Sequence, residues 1–167
     1  MNPSAFQETQ HLQAEMNKNI NKFFKGFAFA WQGIVYALRT QMNFRFHIVA
    51  AAWVLLLSVF YHFEPIEYAA IFITIGAVIS AELINTAVEK SVDLCTKEEN
   101  KLAKYAKDAA AGAVLVSAAA AVCVAVCLFG EVEIITYMIG FLIQNPVLIA
   151  VGAVLAAGSV IFIFKGI

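Results

Sequence analysis

The stretch YAAIFITIGAVISAELINTAVEKSVD, residues 68–93, joins an apolar run to a polar helix face with no break between them. Its first part, 68–81, carries no Asp, Glu, Lys or Arg. That part alone is too short to cross a bilayer, which takes about 20 residues. The helix must therefore continue into AELINTAVEKSVD, residues 81–93. At ~100° per residue, Glu82, Asn85, Glu89 and Asp93 fall at about 0°, −60°, −20° and +20°, within an arc of roughly 80°. An ionisable group at the centre of a span costs at least about 2.5–3.5 kcal/mol, so such groups persist where they are paired, hydrated or bound to a cation. A solvated helix end would account for Asp93 and for Glu89. It does not suit Glu82, which directly follows the apolar run. The stripe reads as an acidic site at the membrane boundary, suited to Mg²⁺ or to protons.

Composition places that helix in a membrane protein. The 167 residues are 62% hydrophobic and 14% charged, with a mean hydropathy of +0.79. Globular chains run at about 45–50% apolar and about 25% charged, and a chain this apolar could not cover a soluble surface with polar groups. The net charge of −1 excludes a strongly basic nucleic-acid binder. Cys123 and Cys127 lie one helical turn apart in an apolar run, with no His nearby. They read as small hydrophobes rather than as a metal or disulfide site. Residues 1–19 are polar and contain no apolar h-region, so membrane entry is expected to use internal segments.

Further apolar stretches lie at 48–63, 109–129 and 134–164, the last interrupted by Gln144, Asn145 and Pro146. They predict spans over 48–63, over 68 into the polar stripe, over 109–129 and over about 147–164, with 134–143 interfacial or re-entrant. Lys and Arg fall before the first span, between the second and third, and at Lys165. The alternate loops hold only Glu64, Glu67, Glu131 and Glu133. The positive-inside rule then puts both termini and the 90–108 loop in the cytoplasm. Residues 20–46, rich in Phe, Trp and Tyr with cations interspersed, predict a helix lying in the cytoplasmic interface. No GxxxxGK[ST] loop, GxGxxG or protein-kinase signature set is present.

Three segments carry a resemblance: FAFAWQGIVYALRTQMNFRFH, AELINTAVEKSVDL and AKYAKDAAAGAVL. In that order and spacing, over about residues 20–129, the chain resembles the small bacterial membrane kinases comprising diacylglycerol kinase and undecaprenol kinase. The resemblance implies an all-α, homotrimeric helical bundle with an interfacial helix and three spans per subunit. Here a fourth, C-terminal span is expected as well. The domains expected are a polar segment over 1–19, a lipid kinase domain over 20–130 and an extension over 131–167. The implied reaction, at the cytoplasmic face of a bacterial plasma membrane, transfers the γ-phosphoryl group of MgATP to a lipid alcohol. Sites are implied between neighbouring subunits.

Carried onto this sequence, the resemblance makes Glu82 the general base and Glu89 a metal-binding carboxylate. Asn85 and Asp93 become supporting groups near the nucleotide, and Lys107 and Asp108 the pair near its phosphates and ribose. Glu98, Glu99 and Asn100 become the nucleotide-contacting loop, with Phe29 and Lys22 on the nucleotide side of the surface helix. Phosphoryl transfer needs mainly positioning and charge neutralisation, so Mg²⁺, a lysine and a carboxylate base suffice. Two departures stand out. Gln41 occupies a position where the family often has a metal-sharing Glu, keeping a carbonyl ligand but losing a charge. The tail from about 131 runs beyond the family's usual end. Undecaprenol is the expected substrate, with diacylglycerol as the alternative. A non-catalytic protein on the same scaffold and a cation-coupled transporter are the other classes considered; the transporter lacks the inverted repeats and broken helices expected of many transporters.

Overall fold

The structure, a computed structural model, describes residues 3–96 and 98–166, with side chains from Glu15 onward. Lys97, one of the loop cations used for the orientation, lies outside the described residues. The order among the described residues is α1 (Pro3–Thr40), α2 (Met42–Ser58), α3 (Pro65–Cys95), α4 (Lys101–Phe129), α5 (Val132–Gln144) and α6 (Pro146–Lys165). Two compact units are present, Met1–Tyr36 and Ala37–Ile167. The first is most of α1, a continuous helix whose Phe23 and Phe27 rings meet edge to face at 5.0 Å.

In the second unit, α3 and α4 form a long antiparallel pair, α2 packs on α3 and on α6, and α5 packs on α6. Three helices, α3, α4 and α6, are long and apolar enough to cross a membrane. The first expected span differs from its prediction. It is α2, a helix of 17 residues, at the lower limit of spanning length. It stops at Ser58 instead of reaching Phe63, because residues 59–64 turn to meet the next helix. Pro65 takes the first position of α3, where its missing N–H costs nothing. Glu67 Oε2 accepts from the Glu64 backbone N–H at 2.7 Å, satisfying one donor at that helix start.

The single interfacial helix expected over 20–46 is corrected. Gln41 breaks it, with φ −108 and ψ 114, and Arg45 lies inside α2, buried, instead of at a lipid surface. LRTQMNF has no Gly or Pro, and the break is spanned by Arg45, whose Nη1 donates to the Leu38 and Arg39 carbonyls.

The two ends of the second unit differ in chemistry. At one end Tyr61, Phe63 and Phe129 form a ring cluster with centroids 4.9–5.2 Å apart. Tyr61 Oη donates to the Phe129 carbonyl at 3.0 Å, closing the C-terminus of α4. At the other end lie the start of α2, the end of α3, the start of α4 and the end of α6. The acidic stripe and the loop cations are at that end.

Candidate active site

The polar end of the α3–α4 pair is built by its connecting loop. Thr96 caps α3 in extended conformation. Its hydroxyl accepts from the Glu98 N–H at 3.2 Å and donates to the Glu98 carbonyl at 3.3 Å, a local turn that competes with further helix. Asn100 then starts α4: its Oδ1 accepts from the N–H groups of Leu102 at 2.8 Å and Ala103 at 3.3 Å. With the loop tied at both ends, Lys107 on α4 faces back to α3 and donates to Asp93 Oδ1. Asp93 stands beyond the roughly 20 residues of α3 that fill a bilayer. The hydrogen bond from the Lys107 ammonium holds its carboxyl below the ordinary carboxylate range.

These groups line one open cleft of about 540 Å³. Asp93, Glu98, Glu99, Asn100, Lys107 and Asp108 all contribute to it. Six of the residues marked in the sequence are thus brought together. Thr96 and Lys104 line it too. The sequence reading used Lys104 only for orientation, although its i, i+3 spacing from Lys107 places both cations on one face of α4.

Nearer the membrane, the same stripe forms a second layer. Glu82 is 2% exposed and Asn85 6% exposed. The Thr86 hydroxyl donates to the Glu82 carbonyl at 2.9 Å, so that Thr86 adds no donor to the Glu82 carboxylate. Asn85 Nδ2 donates to Glu89 Oε1 at 3.1 Å. Asn85 Oδ1 is buried with no hydrogen-bond partner, a condition costing about 1–3 kcal/mol. The three stripe carboxylates do not converge: among the described residues no three or more His, Cys, Asp or Glu side chains are grouped so as to hold a metal ion between them. Asp93, the outermost, has found its cation in Lys107.

The remaining expected site residues lie elsewhere. Gln41 occupies the elbow before α2 and is half-buried. Phe46, His47, Ala50 and Ala51 of α2 line a groove together with Thr74, Ile75, Val78 and Ile79 of α3 and with residues of α4. Because α2 packs on the helix that follows it, its first turn, with Gln41 just before it, lies toward the polar end of α3. Lys22 and Phe29 lie on α1 in the N-terminal unit, both exposed.

Residues 28–129 match the family described as prokaryotic diacylglycerol kinase. The chain belongs to that family. It is a lipid kinase of the membrane-spanning kind, and the match ends on the last residue of α4, leaving α5 and α6 outside it. Among relatives, it is 50% identical over 99 residues to the undecaprenol kinase of Bacillus subtilis (strain 168), covering 59% of this chain and 80% of that protein. It is 46% identical over 103 residues to a diacylglycerol kinase of Synechocystis sp., covering 61% of this chain and 59% of that protein. A diacylglycerol kinase of Helicobacter pylori (strain J99) is 28% identical over 99 residues, covering 59% of this chain and 77% of that protein.

Proposed function

We propose that the protein phosphorylates undecaprenol with MgATP at the cytoplasmic membrane surface, as a homotrimer in a bacterial plasma membrane with both termini in the cytoplasm. The carrying observation is the two-layer stripe: a polar cleft holding Lys107, Lys104 and Asp108 stands directly above a buried carboxylate at the apolar boundary. In this reading ATP binds in the cleft, its polyphosphate toward the lysines and its nucleoside toward Glu98, Glu99 and Asn100. Glu82 accepts the proton of the lipid hydroxyl. The hydroxyl oxygen forms a bond to the γ-phosphorus while the bond from that phosphorus to the β–γ bridging oxygen breaks, and ADP leaves with that electron pair.

The residues present fit Mg²⁺. Glu89 is a hard oxygen donor and the orphaned Oδ1 of Asn85 is beside it. Glu89, Asn85 and the Gln41 carbonyl oxygen would hold the ion, which when bound supplies neutralising charge to the polyphosphate.

The 50% identity to an undecaprenol kinase favours a polyprenol acceptor, and the 46% identity to a diacylglycerol kinase supports the second reading. Purified full-length protein in lipid vesicles, given γ-labelled MgATP with undecaprenol or with diacylglycerol, separates them. Label entering undecaprenol faster is expected; faster entry into diacylglycerol reverses the substrate assignment, and no labelled lipid from either refutes the reaction.

A further inference from the structure

Arg45 is buried, 6% exposed, and the proposed reaction makes no use of it. It lies in the first turn of α2, the end at which a helix dipole disfavours a cation. Its guanidinium turns instead to the ends of two other helices. Nη1 donates to the Leu38 carbonyl at 3.1 Å and to the Arg39 carbonyl at 3.2 Å, in the last turn of α1. Nε donates to the Ile163 carbonyl at 2.9 Å, in the last turn of α6. Helix C-termini leave carbonyls without intrahelical partners and carry partial negative charge. One side chain therefore satisfies three such groups, drawn from opposite ends of the chain.

The α6 terminus is shaped to this contact. Gly166 has φ +74 and ψ −158, a region essentially open to glycine alone. A Cβ there would lie 3.3 Å from Arg45 Nη1. Deeper in the bundle, Trp53 Nε1 donates to Ser159 Oγ at 3.3 Å, a second tie between α2 and α6. Ile163, Ser159 and Gly166 all lie beyond the part of the chain that matches the kinase family.

We propose that the C-terminal extension is a brace for the elbow between α1 and α2. Through Arg45, α6 holds Gln41 and the start of α2 in register with the polar stripe of α3. Arg45 and Gly166 are positioning residues: they act on Gln41 through the backbone of the elbow. The consequence for catalysis rests on the kinase reading above, whereas the brace itself does not.

Hydrogen exchange on the full-length protein in lipid nanodiscs tests it. The reporters are the Gln41 N–H, bonded to the Ala37 carbonyl, and the Arg45 N–H, bonded to the Gln41 carbonyl. Gly166→Ala, far away in sequence, is expected to speed exchange of both roughly tenfold through local opening. Ser159→Ala, which keeps the helix and removes only the Trp53 bond, is expected to speed them less. If Gly166→Ala does not fold, Ser159→Ala decides. Elbow exchange at the wild-type rate in the folded tail variants overturns the brace. In a kinetic comparison, Arg45→Gln is expected to raise the half-saturating Mg²⁺ concentration by roughly fivefold, with a smaller change in kcat. A loss confined to kcat overturns the register with the α3 stripe. A wild-type protein without kinase activity refutes the reaction, and the exchange comparison then still decides the brace.

Discussion

Glu82 and Gln41 carry the sharpest expectations at the scale of single residues. Glu82→Gln preserves shape and removes the proton acceptor, so it is expected to insert and fold normally while phosphoryl transfer falls about 10²–10⁴-fold. Labelled phosphate transfer by the purified variant checks this, and near-wild-type turnover removes Glu82 from the reaction. Gln41→Glu adds the charge that the elbow lacks and is expected to lower the Mg²⁺ concentration needed for activity. An unchanged Mg²⁺ titration would show that position 41 is not a ligand. The stripe was legible because it follows from helical periodicity, and the Asn85–Glu89 bond runs along it. The burial of Arg45 was not. Its partners are backbone carbonyls, one of them 118 residues away, and no side-chain pattern announces such a contact.

The elements were legible where composition changes sharply and less so where tertiary contacts decide. Pro65 and the apolar run after it marked the start of α3, and Pro146 marked α6. The elbow at Gln41 was read through as helix, for every residue there tolerates helix and neither Gly nor Pro marks the break. The loop residue Asn100 was read as a nucleotide contact. The structure adds a second role, the N-cap of α4, signalled in the sequence by its place just before KLAKYAKD. Asn100→Ala is expected to destabilise the first turn of α4 by about 1 kcal/mol, seen as faster exchange at Leu102 and Ala103. Asn100→Asp keeps the cap and is expected to protect those amides as the native residue does. If both substitutions expose them equally, the cap is not what orders this end of the cleft.

The whole second unit is polarised, and its own cysteines can report which end faces which compartment. Cys95 is exposed at the end of α3, whereas Cys123 and Cys127 lie within α4. A membrane-impermeant maleimide is expected to label Cys95 in inverted vesicles and not in intact cells. Cys123 and Cys127, within the apolar span of α4, should stay unlabelled in both, since a membrane-impermeant reagent does not enter the hydrocarbon. Labelling of Cys95 from outside would invert the proposed topology. The proposed orientation rests on charge distribution, which depends on counts in loops. The attachment of α6 to α2 was not readable, since two apolar helices can pack in many ways and a few hydrogen bonds choose among them.

The 31 residues of α3 measure about 46 Å, against a hydrocarbon core of about 30 Å. From Glu82 to Asp93 the axial rise is about 16 Å. In the proposed reaction the helix is a ruler that sets two substrates at different heights: the lipid alcohol can climb no further than the apolar boundary, and the nucleotide is gripped well above it. A triphosphate can close that gap only by hanging down along the helix axis. Chain direction, rather than pocket shape, would then decide which phosphate reaches the membrane first.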